Sequence, residues 1–185
     1  MSKTLKMNWK MKKFFLLFIV LAFAAFQVNA WRNKVEGTKR FITGLPLSIE
    51  VEGYVMRNAR VGLLNSLISD ACGITAIRIT DATAQKIKEQ GLPFFENAKI
   101  SRSDKARHRS PVFYEDWQKM PPRSRLSIGE SMIMWASSCA GRSGIPFEQI
   151  VDGLTGGSGY VSGGRGYSEM YVFPDQKLFV HAFVD

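Results

Sequence analysis

Histidine is nearly missing from this chain, with two residues in 185. Nucleophilic catalysis of the usual kind sets a Ser or Cys beside an imidazole oriented by a third group, and a catalytic zinc site takes three side-chain ligands. His108 and His181 cannot supply a zinc set, and each has a simpler reading: His181 sits in a strand-like run of alternating apolar residues, and His108 sits among arginines. Other catalytic signatures are missing too. The G-x-S-x-G elbow fails at Ser158, which is followed by Gly159 and Tyr160, and no S-x-x-K pattern occurs. The stretch Gly159 to Gly166 has Arg165-Gly166 where a phosphate loop needs Lys followed by Ser or Thr. No metal and no cofactor is expected.

Acidic residues are absent from the opening segment, which carries Lys3, Lys6, Lys10, Lys12 and Lys13 and leads into the apolar run Phe14 to Phe26. A run long enough to span a bilayer is lacking: this one has 13 residues, against about 20 for a spanning helix. The pattern is that of a cleavable secretory signal peptide over residues 1–30, leaving a single exported domain over 31–185. Val28-Asn29-Ala30 offers modest side chains where a signal peptidase reads them, so cleavage is expected after Ala30, with Trp31 opening the mature chain. Met11 begins a more compact signal and is an alternative start to Met1. No Cys follows the apolar run where lipidation requires one, so the product is expected to keep no stable membrane anchor after cleavage.

Loss of the signal removes five of 25 basic residues and none of the 16 acidic ones, leaving 20 against 16, a balance of +4 instead of +9. The whole-chain pI of 9.7 therefore overstates the basicity of the working protein. Nucleic-acid binding loses its compositional support, and export argues against it further.

Cysteine is equally scarce. Cys72 and Cys139 are the only two, both in the mature part, and in an oxidising compartment they are expected to pair.

The mature chain reads as α+β, a single small domain with helices packed on a mostly antiparallel sheet and a C-terminal β-hairpin. Leu47 to Arg57 alternates like a half-buried strand interrupted at Gly53, and Ala59 to Ala71 has helical spacing. Ile74 to Thr80 is β-branched and strand-like, Asp81 is placed to cap a helix over Ala82 to Gln90, and Gly91 is placed to stop it. Leu92 to Arg109 reads as an exposed basic loop, and Ser110 to Trp117 as a short helix ended by Pro121-Pro122. Ser127 and Glu130 match a capping box for a central buried helix through Met132, Trp135 and Cys139 to Gly141. Pro146 to Leu154 is a further helix. Gly156-Gly-Ser-Gly-Tyr160 is then echoed by Gly163-Gly-Arg-Gly-Tyr167, and Tyr167 to Phe173 with Leu178 to Val184 form the hairpin around Pro174 to Lys177.

Two segments are candidate binding surfaces. Arg102, Lys105, Arg107 and Arg109 make an anion-facing patch suited to an acidic protein or an anionic envelope polymer. Tyr160, Arg165 and Tyr167 on the glycine-rich echo offer stacking faces and charge-assisted hydrogen bonds. Glu130 is the one weak catalytic candidate, since cell-wall glycan hydrolases can work through a carboxyl group tuned by an apolar site; helix capping explains a Glu there more simply. These features point to a periplasmic or secreted binding protein of the bacterial envelope, with an inhibitor or immunity-like role or an accessory role in an envelope or secretion assembly. A glycan hydrolase using Glu130 and a structural subunit pairing through the terminal hairpin are the alternatives.

Overall fold

The computed structural model describes residues 9–60, 71–102, 114–121, 131–164 and 167–184. The chain divides into two compact units, Met1–Ile42 and Thr43–Asp185.

The first unit is built on one helix, α1 (Trp9–Gly44), whose last two residues lie past its boundary. Phe14, Phe15, Leu16, Leu17, Phe18 and Ile19 are all exposed, and consecutive positions point round the full circumference of a helix. A helix apolar on every side has no face suited to water, unlike one with a single apolar stripe, and is at home in the core of a large protein or in a membrane. The uninterrupted apolar run Phe14 to Phe26 is shorter than a bilayer span, but the longer stretch Lys13–Gly44 of α1 is, by length and composition, apolar enough to cross a membrane. That suits a signal sequence or an anchor. The helix continues through Val28, Asn29 and Ala30 without a break.

The second unit is a six-stranded antiparallel sheet in the order β1-β2-β6-β5-β4-β3. Its strands are β1 (Val51–Arg60), β2 (Cys72–Ile79), β3 (Gln118–Lys119), β4 (Tyr160–Gly163), β5 (Ser168–Phe173) and β6 (Leu178–Val184). The helices are α2 (Asp81–Gln90), α3 (Met132–Ala140) and α4 (Phe147–Gly156), with a 3-10 helix at Leu92–Asn97. Leu178, Val180 and Ala182 of β6, Ile74 and Ala76 of β2, and Tyr171 and Phe173 of β5 share a core with Ile133 and Ala136 of α3 and Ile150 and Leu154 of α4. Alternation sends Phe179 to the other face. There the Trp117 ring lies 6.5 Å from Phe179, and Phe95 stacks on Trp117 at 4.6 Å and lies tilted against Tyr160 at 4.8 Å. With both faces covered, β2 is buried at every position but Arg78.

The terminal hairpin forms as expected, β5 pairing with β6 from Ser168↔Phe183 to Phe173↔Leu178. It lies inside the sheet. β6 is also paired with β2, and β5 with β4, so neither hairpin strand has an open edge with which to recruit another chain. The interruption in β1 is also present: the register shifts between Glu52 and Met56, around Gly53 at φ +80°, a conformation that favours glycine.

Several local expectations are corrected. Ala59 and Arg60 belong to β1, so no helix starts at Ala59, and the remainder of that expected helix lies outside the described residues apart from Ala71. Thr80, not Asp81, caps α2, its hydroxyl accepting from Thr83 N at 3.2 Å, while Gly91 ends the helix as read. The basic loop begins as a 3-10 helix with Phe94 and Phe95 buried. Tyr114 to Trp117 are not helical, and both aromatics are buried. Ser131, not Ser127, caps α3. That helix turns Ile133, Ala136 and Ser137 inward and leaves Trp135 63% exposed, because a Met-Ile-Met-Trp run is apolar on every side and does not itself select the buried face.

Cys72 and Cys139 are joined in a disulfide with Cα atoms 6.2 Å apart. The bond ties the first residue of β2 to the last turn of α3, across 67 residues of sequence. Closing a loop of that length in the unfolded chain is worth about 4 kcal/mol in the chain-entropy account.

Candidate functional site

Of the residues read as a binding surface, Arg102, Tyr160 and Tyr167 lie among those described; Lys105, Arg107, Arg109 and Arg165 lie outside them, as do His108 and Glu130.

Arg102 is committed internally. Its backbone N–H donates to Leu45 O at 2.8 Å, its Nε to Pro46 O at 3.3 Å, and its Nη2 to Ile49 O. Nearby, the Tyr114 hydroxyl donates to Gly44 O, and Trp117 Nε1 donates to Ala98 O at 3.1 Å. Burial pushes the Tyr114 phenol well above its ordinary pKa. Together Arg102 and Tyr114 clasp residues 44–49 to the rest of their unit, so Arg102 has a structural role.

Tyr160 is held inside the fold. It is 7% exposed, burial raises its phenol pKa, and Phe95 packs on its ring. Tyr167 is the opposite case at 78% exposed, fixed by its carbonyl, which accepts from Val184 N at 2.9 Å. The echo therefore places one tyrosine in the core and one on the surface.

Its glycines answer mainly to packing. Gly157 ends α4 in the left-handed region at φ 64°. A Cβ on Gly159 would come within 2.9 Å of the Phe173 ring, and one on Gly163 would collide with the Glu115 carboxylate. Tyr160 to Gly163 is strand β4, not a loop.

One polar row escaped the sequence reading. Across the sheet, Arg57 pairs with Thr75, Thr75 with His181, His181 with Met170, and Met170 with Ser162. The His181 ring centroid lies 5.6 Å from that of Phe183, and its pKa is lowered to about 4, first by burial and then by the positive charge of Arg57. It is a neutral imidazole at ordinary pH. Ser162 is two strand spacings away, about 9.6 Å, and its hydroxyl donates to Glu115 O at 2.8 Å. This row does not form a serine-histidine dyad.

Lys99 pairs with Asp116 at 2.6 Å, which holds the ammonium pKa up and the carboxyl pKa down through their hydrogen bond and mutual charge. Arg142 caps the Phe147 ring at 4.1 Å. Among the described residues no group of three or more His, Cys, Asp or Glu is placed to hold a metal ion. No family model matches the chain, and neither a curated protein nor a solved structure does.

Proposed function

We propose that this chain is an exported α+β domain of the bacterial envelope, periplasmic or secreted, that acts by binding an envelope protein or an anionic envelope polymer. The observation that carries the reading is a disulfide in a body preceded by a lysine-flanked helix apolar on all sides. Paired thiols persist in oxidising compartments, and such a helix directs a chain to one. Binding is preferred to catalysis because the sequence lacks the common catalytic motifs and the described serine and histidine of the polar row are held apart. The residues we assign to the partner are Lys105, Arg107 and Arg109 of the basic segment and Arg165 and Tyr167 of the glycine-rich echo, of which Tyr167 is exposed. Inhibition of an envelope-acting protein and service in a secretion assembly both fit this surface.

The test is capture of the tagged chain from its native envelope under gentle crosslinking, with Arg107→Glu plus Arg109→Glu as control. One dominant partner lost in the control is expected, and a chain retrieved alone contradicts the reading. Glu130→Gln addresses the glycan-hydrolase alternative. Loss of muropeptide release in that variant contradicts a binding-only role.

A further inference from the structure

The two ends of the sheet are finished differently. At the β3 end the outermost strand has two residues, and beyond it Glu115 N donates to Gly163 O at 3.2 Å while Ser162 Oγ donates to Glu115 O at 2.8 Å, so the edge of β4 is covered. At the other end stands β1, ten residues long. Thr80, next after β2, donates its N–H to Glu50 O, and Ile79 N donates to Lys177 O, so successive residues here turn to β1 and to β6 in alternation. Cys72, Ile74 and Ala76 are the ones turned to β1, opposite Arg60, Asn58 and Met56. Arg57 and Ala59 therefore direct their backbone N–H and C=O groups away from β2, off the sheet. Among the described residues no strand pairs with them there.

An open edge is a template for another strand, and natural sheets guard theirs with bulges and charge. β1 has both. The bulge around Gly53 leaves Met56 to Arg60 as a continuous run paired to β2, and Arg57 stands exposed within that run, in no ion pair among the described residues. Its charge is felt by buried His181, whose pKa it helps to hold down. A second copy of β1 laid antiparallel on this run would bring Arg57 and Arg60 of both chains together, and like charges across a strand pair destabilise it. A strand carrying a carboxylate at the same place meets the opposite charge. We propose that the outer edge of β1, over Met56 to Arg60, takes an extended acidic segment of a protein partner as an additional strand, with a carboxylate of that segment set against Arg57. Main-chain hydrogen bonds at Arg57 and Ala59 supply the affinity, and the arginine selects the sequence. This deepens the binding reading, on which it rests, by making the partner a protein and its bound segment an acidic strand.

The test mixes the chain recovered from cells with a blocked peptide, Thr-Thr-Val-Glu-Val-Thr-Thr, or with its counterpart having Lys for Glu, and follows amide shifts and exchange by NMR. With the Glu peptide, exchange is expected to slow at Arg57 and Ala59, and binding to be several-fold tighter than with the Lys peptide. Arg57→Glu should reverse that preference. Ala59→Pro should keep the fold, because the N–H it removes points off the sheet, and should lose the peptide. If Ala59→Pro does not fold, the charge reversal at Arg57 decides alone. Equal affinity for the two peptides, or no slowing at Arg57 and Ala59, overturns the proposal. The envelope capture separates this contact from the reading beneath it. A partner kept by folded Ala59→Pro but lost with Arg107→Glu plus Arg109→Glu overturns the edge contact alone, and an unsubstituted chain retrieved without any partner overturns both.

Discussion

The body is held at two places by different means. At β2 and α3 a covalent bond joins Cys72 to Cys139; at residues 44–49 the chain is held by hydrogen bonds from Arg102 and Tyr114 to backbone carbonyls. A disulfide acts mainly by restricting the unfolded chain, so its contribution persists at any pH while the compartment stays oxidising. The clasp acts in the folded state, where each carbonyl that loses a charged donor is left to find water or go unpaired. The first depends on the compartment, and the second depends on one guanidinium.

The comparison can be broken from the covalent side first. Replacing Cys72 and Cys139 by alanine is expected to cost up to about 4 kcal/mol in urea denaturation, without changing the strand order seen by amide exchange.

Next comes the polar row. The folded-state pKa of His181 is about 4, below its ordinary 6.5. Above pH 6.5 the imidazole is neutral in both states and makes no difference. As the pH falls from 6.5 to 4, the unfolded chain takes up a proton that the folded chain refuses, so stability declines by about 3 kcal/mol in all and then levels off. Denaturation midpoints across that window check this, and His181→Asn should remove this part of the slope. A decline unaltered in the variant would assign it to other groups.

Arg102→Met should cost about 2 kcal/mol, through the charged hydrogen bonds lost at Pro46 O and Ile49 O. Amide exchange should quicken around residues 44–49 and stay slow at Cys72. The smallest effect is expected at Lys99→Met: the ion pair with Asp116 lies in solvent, and the denaturation midpoint should not move measurably.

The same division separates what was legible in the sequence from what was not. The β5–β6 hairpin was legible because two runs of β-prone residues flank Pro174 to Lys177, and Gly91 marked the end of α2 because a glycine after a periodic segment has few other uses. The disulfide followed from counting cysteines. The clasp had no signature, because its acceptors are backbone carbonyls that every sequence has. Ser127 and Ser131 compete as caps, and the Ser127-Glu130 spacing favoured the wrong one. β4 was hidden by the glycines at and beside its ends: Gly159, just before it, lies against Phe173, and Gly163, its last residue, lies against Glu115. Tyr160 and Tyr167 looked equivalent in the echo, and only the pairing of β4 with β5 puts one inside and leaves the other out. The basic patch was legible as charge, but Arg102 shows that charge in sequence does not reveal whether an arginine serves a partner or its own backbone.

The proposed export is tested most directly by the intact mass of the chain recovered from cells without reduction. The mass predicted is that of residues 31–185 less the two hydrogens of the Cys72–Cys139 bond. A full-length chain carrying two free thiols would contradict it.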